Sequence, residues 1–235
     1  MAEPALLTIR RDWRRPDEVA IATLRGVSTG LVADALGRSG ALDHRIRPVW
    51  DGPAFVGAAL PVATAPKDNL ALYAALKFAR PGDVMMIATD AYEGAAVIGD
   101  LLIGLMRNAG ILAVVTDGLV RDVVGIVETG LPVHARGVSP NSPFKHGPGS
   151  IGLGIALGGV LVQPGDVVTG DSDGIVIVPS GRVSDVIGRL AALKAKEAEL
   201  DALVKSGATM PAWVDTILNG GNVAYVEDAM ASRAG

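Results

Sequence analysis

Apolar residues recur at helical spacing in some segments of this chain and in short strand-like runs in others. The two kinds intermix without strict alternation. Pro16 to Leu24 reads as an amphipathic helix with Pro16 at its start, and Ser28 or Thr29 caps a second, TGLVADALGRSG, stopped by Gly40. Residues 53–64, PAFVGAALPVAT, predict strand structure broken at Gly57, and Asp68 or Asn69 then caps NLALYAALKFA, which Pro81 ends. Leu101, Leu102, Leu105 and Met106 give helical spacing up to Gly110, after which Ile111 to Val115 is a continuous apolar run of strand length. Val123 to Thr129 predicts a short helix, VHARGV a strand, and Gly158 to Pro179 a strand, a PGD turn, a strand, a DSDG turn and a strand. RPGDVMMIAT and QPGDVVTGDS share a Pro-Gly-Asp-Val turn entering a strand, which reads as two similar turns rather than a duplication. Ser184 to Lys205 is a charged helix with Leu190, Leu193 and Leu200 on its apolar side, and the tail beyond Gly207 carries Trp213, Ile217 and Leu218.

This pattern predicts a layered α/β domain. A doubly wound sheet fits poorly, because the later half offers hairpins where crossover helices are needed. The 235 residues read as a single domain with a core over about 26–180 and a C-terminal helical extension over about 182–235. The leucines of that arm need a partner surface, and another subunit is one that could provide it.

Composition narrows the chemistry. Hydrophobic residues make up 49% and aromatic ones 4%, so the core is built from Ala, Val, Leu and Ile. A formal net charge of −4, without any Lys/Arg-rich run, argues against nucleic acid as a partner. No cysteine is present, which excludes disulfides, thiolate zinc sites and cysteine nucleophiles. MAEPALLTIRRDWRR lacks the order of a signal peptide, and Ser150 to Pro164, the longest uncharged stretch, is too short and glycine-rich to span a bilayer. The expectation is a cytoplasmic protein without a membrane partner.

The strongest chemical lead is the interval from Asp100 to Arg121-Asp122, with twenty residues between Asp100 and Arg121. A helix followed by a strand folds back on itself, so the two ends of this interval can meet. They would bring two carboxylates, one guanidinium and a helix N-terminus to one point. If the helix starts near Gly99, the amides of Gly99, Asp100, Leu101 and Leu102 offer an anion site. Arg121 adds a forked cation for a carboxylate or carbonyl oxygen, and Asp122 a hard oxygen ligand for Mg²⁺ or Mn²⁺. The competing reading is structural: Asp122 directly precedes a helix, where Asp is a favoured cap, Asp100 is then a first-turn residue, and Arg121 a solvated loop charge.

In their order along the chain, STGLVADALGRSG, the PGDV turn, GDLL, VVTDGLVRD, GLPVHARGVSP and GDSDGIVIVP resemble the RraA-like family, which includes class II 4-hydroxy-4-methyl-2-oxoglutarate / 4-carboxy-4-hydroxy-2-oxoadipate aldolases. The resemblance covers most of the chain. It implies a layered β/β/α swivelling-type domain with N-terminal helices and a C-terminal helical arm, forming homotrimers or homohexamers with sites between subunits. It further implies a divalent metal, Mg²⁺ or Mn²⁺, carried by Asp122 largely through water. Arg121 would contact the keto oxygen of a small 2-oxo acid substrate, the amides of Gly99 to Leu102 its carboxylate, and Asp100 an active-site water. Asp34 and either Glu197 or Glu199 match positions where the aldolases carry acidic residues. The implied function is a metal-dependent lyase (pyruvate aldolase) cleaving 4-hydroxy-2-oxo acids to pyruvate plus a 2-oxo acid or aldehyde, with oxaloacetate decarboxylase side activity. The alternatives are a non-catalytic regulator binding a ribonuclease, or the same metal-enolate chemistry on a sugar-derived 2-oxo acid.

Other signals carry less. Asp171-Ser172-Asp173-Gly174 lacks the later bidentate Glu of a calcium loop and reads as a turn. His44, His134 and His146 have no metal-ligand spacing, and none of Lys67, Lys77 or Lys145 sits in an apolar strand where a Schiff-base lysine would be desolvated. Lys145 and His146 form an exposed loop pair or face the substrate. GLGIALGG lacks the context of a dinucleotide fingerprint.

Overall fold

The computed structural model describes residues 5–226. Its first elements are β1 (Leu7–Ile9), α1 (Glu18–Leu24), α2 (Thr29–Ala35), β2 (Arg47–Pro48), β3 (Phe55–Thr64), α3 (Leu70–Ala75) and β4 (Asp83–Ala88). The middle of the chain holds β5 (Ala96–Ile98), α4 (Asp100–Asn108), β6 (Ala113–Thr116), β7 (Leu119–Val120), α5 (Val123–Thr129), β8 (Val133–Ala135) and β9 (Gly137–Val138). Then follow β10 (Gly149–Ile151), β11 (Ile155–Leu157), β12 (Val160–Val162), β13 (Val167–Gly170), β14 (Ile175–Val178), α6 (Val183–Lys205) and α7 (Ala212–Leu218). Two compact units divide the chain, residues 1–191 and 192–235, the boundary falling inside α6.

The first unit is built on β3. Parallel strands β4, β6 and β8 follow on one side, while β10 and β13 pair antiparallel with its two halves on the other. Strand periodicity sorts β4 to two cores. Met85 and Ile87 join a cluster with Leu72 of α3, Ile103 and Met106 of α4 and Ile126 of α5. Val84, Met86 and Ala88 face the other way, to Ile155, Leu157 and Val162 of the β11–β12 hairpin. The result is a β/β/α layering: hairpin, central sheet, helices. A separate parallel sheet, β5-β7-β9, carries the chain segments that lead into the candidate site.

Local chemistry explains most boundaries. Asp17 caps α1, accepting from Ala20 N at 2.7 Å, and Ser28 caps α2, accepting from Leu31 N at 3.3 Å. Asn69 stands at the cap of α3 without a side-chain cap bond; Asp68 Oδ1 takes Leu70 N instead, at 2.9 Å. Both PGD segments are the same turn. Proline leads, Gly82 and Gly165 have φ +90° and +84°, and the following aspartate N–H returns to Arg80 O and Gln163 O at 3.1 Å. Each aspartate also accepts the N–H three residues back, from Arg80 and Gln163, at 2.8 Å.

Three expectations need correction. Gly57 does not break its strand: β3 runs unbroken, and a β-carbon at Gly57 would fall 2.5 Å from Gly82 O, so glycine there permits a close approach. VHARGV is two strands in different sheets, β8 and β9, parted at Arg136. On α4 the buried residues are Leu102, Ile103 and Met106, while Leu101 and Leu105 of the anticipated apolar face are exposed. In the second unit, Leu200, Trp213, Ile217 and Leu218 are also exposed.

The DSDG segment is a turn between β13 and β14 with a structural task. The Asp171 carboxylate accepts from Thr29 N at 2.8 Å and Thr29 Oγ1 at 2.7 Å, fastening the start of α2. His134 Nε2 lies 3.0 Å from Asp171 O, so this ring is a second tie to the same turn. Burial holds the His134 pKa below its ordinary value. The unfolded chain therefore takes up this proton first as pH falls below about 6.5. The His134 contribution is full above that value and declines below it. Burial alone would raise the Asp171 carboxyl, but the bonds from Thr29 and Asp173 together hold it low, so its contribution persists to more acid pH. The urea midpoint is expected to drop between pH 7 and pH 5, and to drop less in His134→Gln; equal drops would refute the assignment.

Candidate functional site

The two ends of the Asp100–Asp122 interval meet. β5 and β7 lie parallel, and Arg121 N donates to Ile98 O at 3.0 Å, so the chain leaves both strands side by side. From β5 it passes through Gly99, the N-cap residue of α4; from β7 it passes through Arg121 and Asp122 into α5. A β-carbon at Gly99 would fall 2.5 Å from Asp122 Oδ2 and 3.1 Å from Arg121 Nε. One at Gly125, in α5, would collide with Oδ2, Cγ and Cβ of Asp100. Two glycines thus let the side chains from each end of the interval lie against the backbone of the other.

Asp122 occupies the cap position of α5 without acting as a cap. Its backbone is left-handed, φ +60° and ψ +48°, and its side chain makes no cap hydrogen bond. Without a cap bond, Asp122 does not serve α5 as the structural cap its position suggested. The carboxylate is half-exposed, with Arg121 Nε 3.2 Å from Oδ2. That approach is too poorly aligned for a hydrogen bond, and the buried Nε–H has no partner among the described residues. Arg121 Nη1 donates instead to Ser142 Oγ at 2.6 Å.

At the start of α4, Ile103 N returns to Gly99 O, and Leu101 N is taken by Asp100 Oδ1 at 2.7 Å. Among the described residues the amides of Gly99, Asp100 and Leu102 have no protein acceptor, so three N–H groups and the helix dipole are open to an anion. The other named positions are less engaged. Asp34 is exposed on α2, 3.9 Å from Arg38. Lys145 is exposed, with Nζ 5.7 Å from the Tyr73 ring centroid. Glu197 and Glu199 are exposed on α6. Ser142 opens the loop that carries Lys145 and His146, but no motif singles it out from its proline-flanked surroundings.

Among the described residues no group of three or more His, Asp or Glu is arranged to hold a metal. The donor set nevertheless suits one kind of ion. A half-exposed carboxylate that makes no cap bond fits Mg²⁺ or Mn²⁺ keeping most of its water. No described helix is long and apolar enough to cross a membrane.

The layering and the site at paired strand ends define a mixed α/β protein of the β/β/α kind. The chain belongs to the RraA-like family: the family model described as "RraA-like: Aldolase/RraA" matches residues 29–177. A Halalkalibacterium halodurans protein provisionally named 4-hydroxy-4-methyl-2-oxoglutarate aldolase is 34% identical over 182 residues, 77% of this chain and 85% of the relative. The crystal structure of Streptomyces coelicolor RraAS2, described as an unusual member of the RNase ES inhibitor RraA protein family, is similar with a TM-score of 0.71 and 26% identity, covering 81% of this chain and all of that one. An uncharacterized Pseudomonas syringae protein shares the fold at a TM-score of 0.74 and 23% identity, over 84% of this chain and 97% of its own.

Proposed function

We propose that this chain is a divalent-metal-dependent lyase that cleaves 4-hydroxy-2-oxo acids to pyruvate and a second 2-oxo acid or aldehyde, with oxaloacetate decarboxylation as a side activity. The observation that carries this reading is the meeting of Asp100, Arg121 and an uncapping Asp122 at the N-terminus of α4. The similarity to the Halalkalibacterium protein supports it.

In retro-aldol cleavage the C4 hydroxyl loses its proton, the C3–C4 bond breaks, and its electron pair becomes the enolate of pyruvate, which takes a proton at C3. Oxaloacetate losing carbon dioxide leaves the same enolate. The free amides of Gly99, Asp100 and Leu102 receive the 2-oxo acid carboxylate, with Leu101 N–H held by Asp100. Arg121 donates to the C2 oxygen, where negative charge develops, and is placed to stabilise the anion more than the ketone. Asp100 holds a water that relays the hydroxyl proton. Asp122 would hold a Mg²⁺ or Mn²⁺ ion, which supplies Lewis-acid polarisation of the same oxygen.

The test is a panel of 4-hydroxy-2-oxo diacids, sugar-derived 2-oxo acids and oxaloacetate, followed by coupled pyruvate detection with Mg²⁺ or Mn²⁺ and with chelator. Pyruvate release that chelator abolishes is expected. Unchanged release in chelator would remove the metal, and no release from any substrate would remove the lyase. The likeness to RraAS2 sustains a second reading, a non-catalytic partner of a ribonuclease. Capture of a ribonuclease by the full chain, with no lyase activity, would select it.

A further inference from the structure

Resting on the lyase reading, we infer that Ser142 is a positioning residue that stops the Arg121 guanidinium short of a two-bond closure on Asp122. That leaves guanidinium N–H groups for the substrate oxygen and a carboxylate oxygen for the metal, although the two side chains are already within ion-pair distance. Arg121 has two competing partners. Asp122, the next residue, offers a carboxylate with Oδ2 3.2 Å from Nε, whereas Ser142 takes Nη1 at 2.6 Å. A planar guanidinium closes readily on a carboxylate with two parallel bonds. Such closure here would neutralise Asp122 and occupy the N–H groups that the keto oxygen needs. On this inference the bond to Ser142 fixes the plane short of that closure, in keeping with an Nε that has no hydrogen bond among the described residues although Asp122 Oδ2 lies 3.2 Å away.

The loop carrying Ser142 is anchored for this task. Ser139 N donates to Val120 O at 2.9 Å, and Ala96 N donates to Asn141 O at 3.0 Å. The Asn141 side chain donates to Gly94 O at 3.2 Å. Beyond Ser142, Phe144 N donates to Lys67 O at 2.8 Å and Asn69 N to Phe144 O at 3.0 Å. The hydroxyl therefore stands between two backbone attachments, one to the β5–β7 sheet and one to the turn before α3. Gly99 completes the arrangement from the opposite side, since a β-carbon there would press on Arg121 Cγ and Nε.

The experiment compares Ser142→Ala and Ser142→Thr with the unaltered protein in three measurements: kcat and KM for pyruvate release, Mn²⁺ affinity without substrate, and melting temperature. Ser142→Ala is expected to lower kcat roughly tenfold, the lower end for losing a hydrogen bond to a charged group. KM should change little, and Mn²⁺ binding should weaken several-fold as Arg121 closes on Asp122. Ser142→Thr, which keeps the hydroxyl, should restore both, and neither variant should move the melting temperature. Unaltered kcat and Mn²⁺ affinity in Ser142→Ala, or loss that tracks a lower melting temperature, would overturn the inference while leaving the lyase reading intact. An unaltered protein without lyase activity would overturn both.

Discussion

Replacing Arg121 with alanine is expected to lower kcat/KM for pyruvate release by about 10²–10³-fold, the scale of removing one fixed donor from a developing oxyanion. The loss should fall mainly on kcat. On the proposed mechanism the α4 amides would still receive the substrate carboxylate, whereas the charge on the C2 oxygen would appear only as the C3–C4 bond breaks. Asp122→Ala should produce a loss at least as large, together with loss of Mn²⁺ binding. Both side chains are partly exposed, and neither supports the core, so melting temperatures should stay within a few degrees of the parent. Arg121→Ala and Asp122→Ala proteins that keep the parental rate would refute the mechanism.

Arg15→Ala is expected to destabilise the fold strongly, although it removes no core side chain. Asp83 is fully buried, and Arg15 meets it with Nε and Nη2, each at 2.7 Å, while its guanidinium lies 4.5 Å from the Trp13 ring centroid. Removing the arginine leaves a carboxylate in the interior whose remaining bond is to Arg80 N. Breaking one side of a buried pair costs about 3 kcal/mol or more. A chain of this length loses about 2–4 °C per kcal/mol, so the melting temperature should fall by roughly 6–12 °C. The double variant Arg15→Ala/Asp83→Ala should be milder than the sum of its parts, because the orphaned charge disappears. A melting temperature within about 2 °C of the parent in Arg15→Ala would show that solvent reaches Asp83 and that the pair is not buried in effect.

How much of this was legible in the sequence depends on the range of each interaction. The Pro-Gly-Asp turns, the start of α2 and the β13–β14 hairpin are local events, written in proline, glycine and capping residues a few positions apart. The sequence pattern puts the start of α1 at Pro16, whereas Asp17 caps a helix that begins at Glu18. β5, β7 and β10 escaped notice, because two or three residues in glycine-rich surroundings show no period of their own; their partners across the sheet define them. The α4 face was misjudged for a related reason. Spacing alone allows Leu101 and Leu105 on the buried side, but the helix docks through Leu102, Ile103 and Met106. At the site, the Asp100 to Arg121-Asp122 spacing was readable through the family resemblance, while residue types alone also allowed a pair of helix caps. Deciding against a cap at Asp122 needed its side-chain bonds as well as its backbone angle, and Ser142 needed the path of a loop that no motif marks.

That backbone angle has an evolutionary corollary. A left-handed conformation costs a residue with a β-carbon roughly 1–2 kcal/mol, and glycine is the substitute that relieves it. Asp122 thus stands where mutation toward glycine should be tolerated or even favoured by folding, and where only the chemistry of the carboxylate opposes it. In descendants of this fold that have abandoned catalysis, this position is where drift should register early. If the lyase reading holds, an aspartate kept in that left-handed geometry is retained for its carboxylate and not for folding.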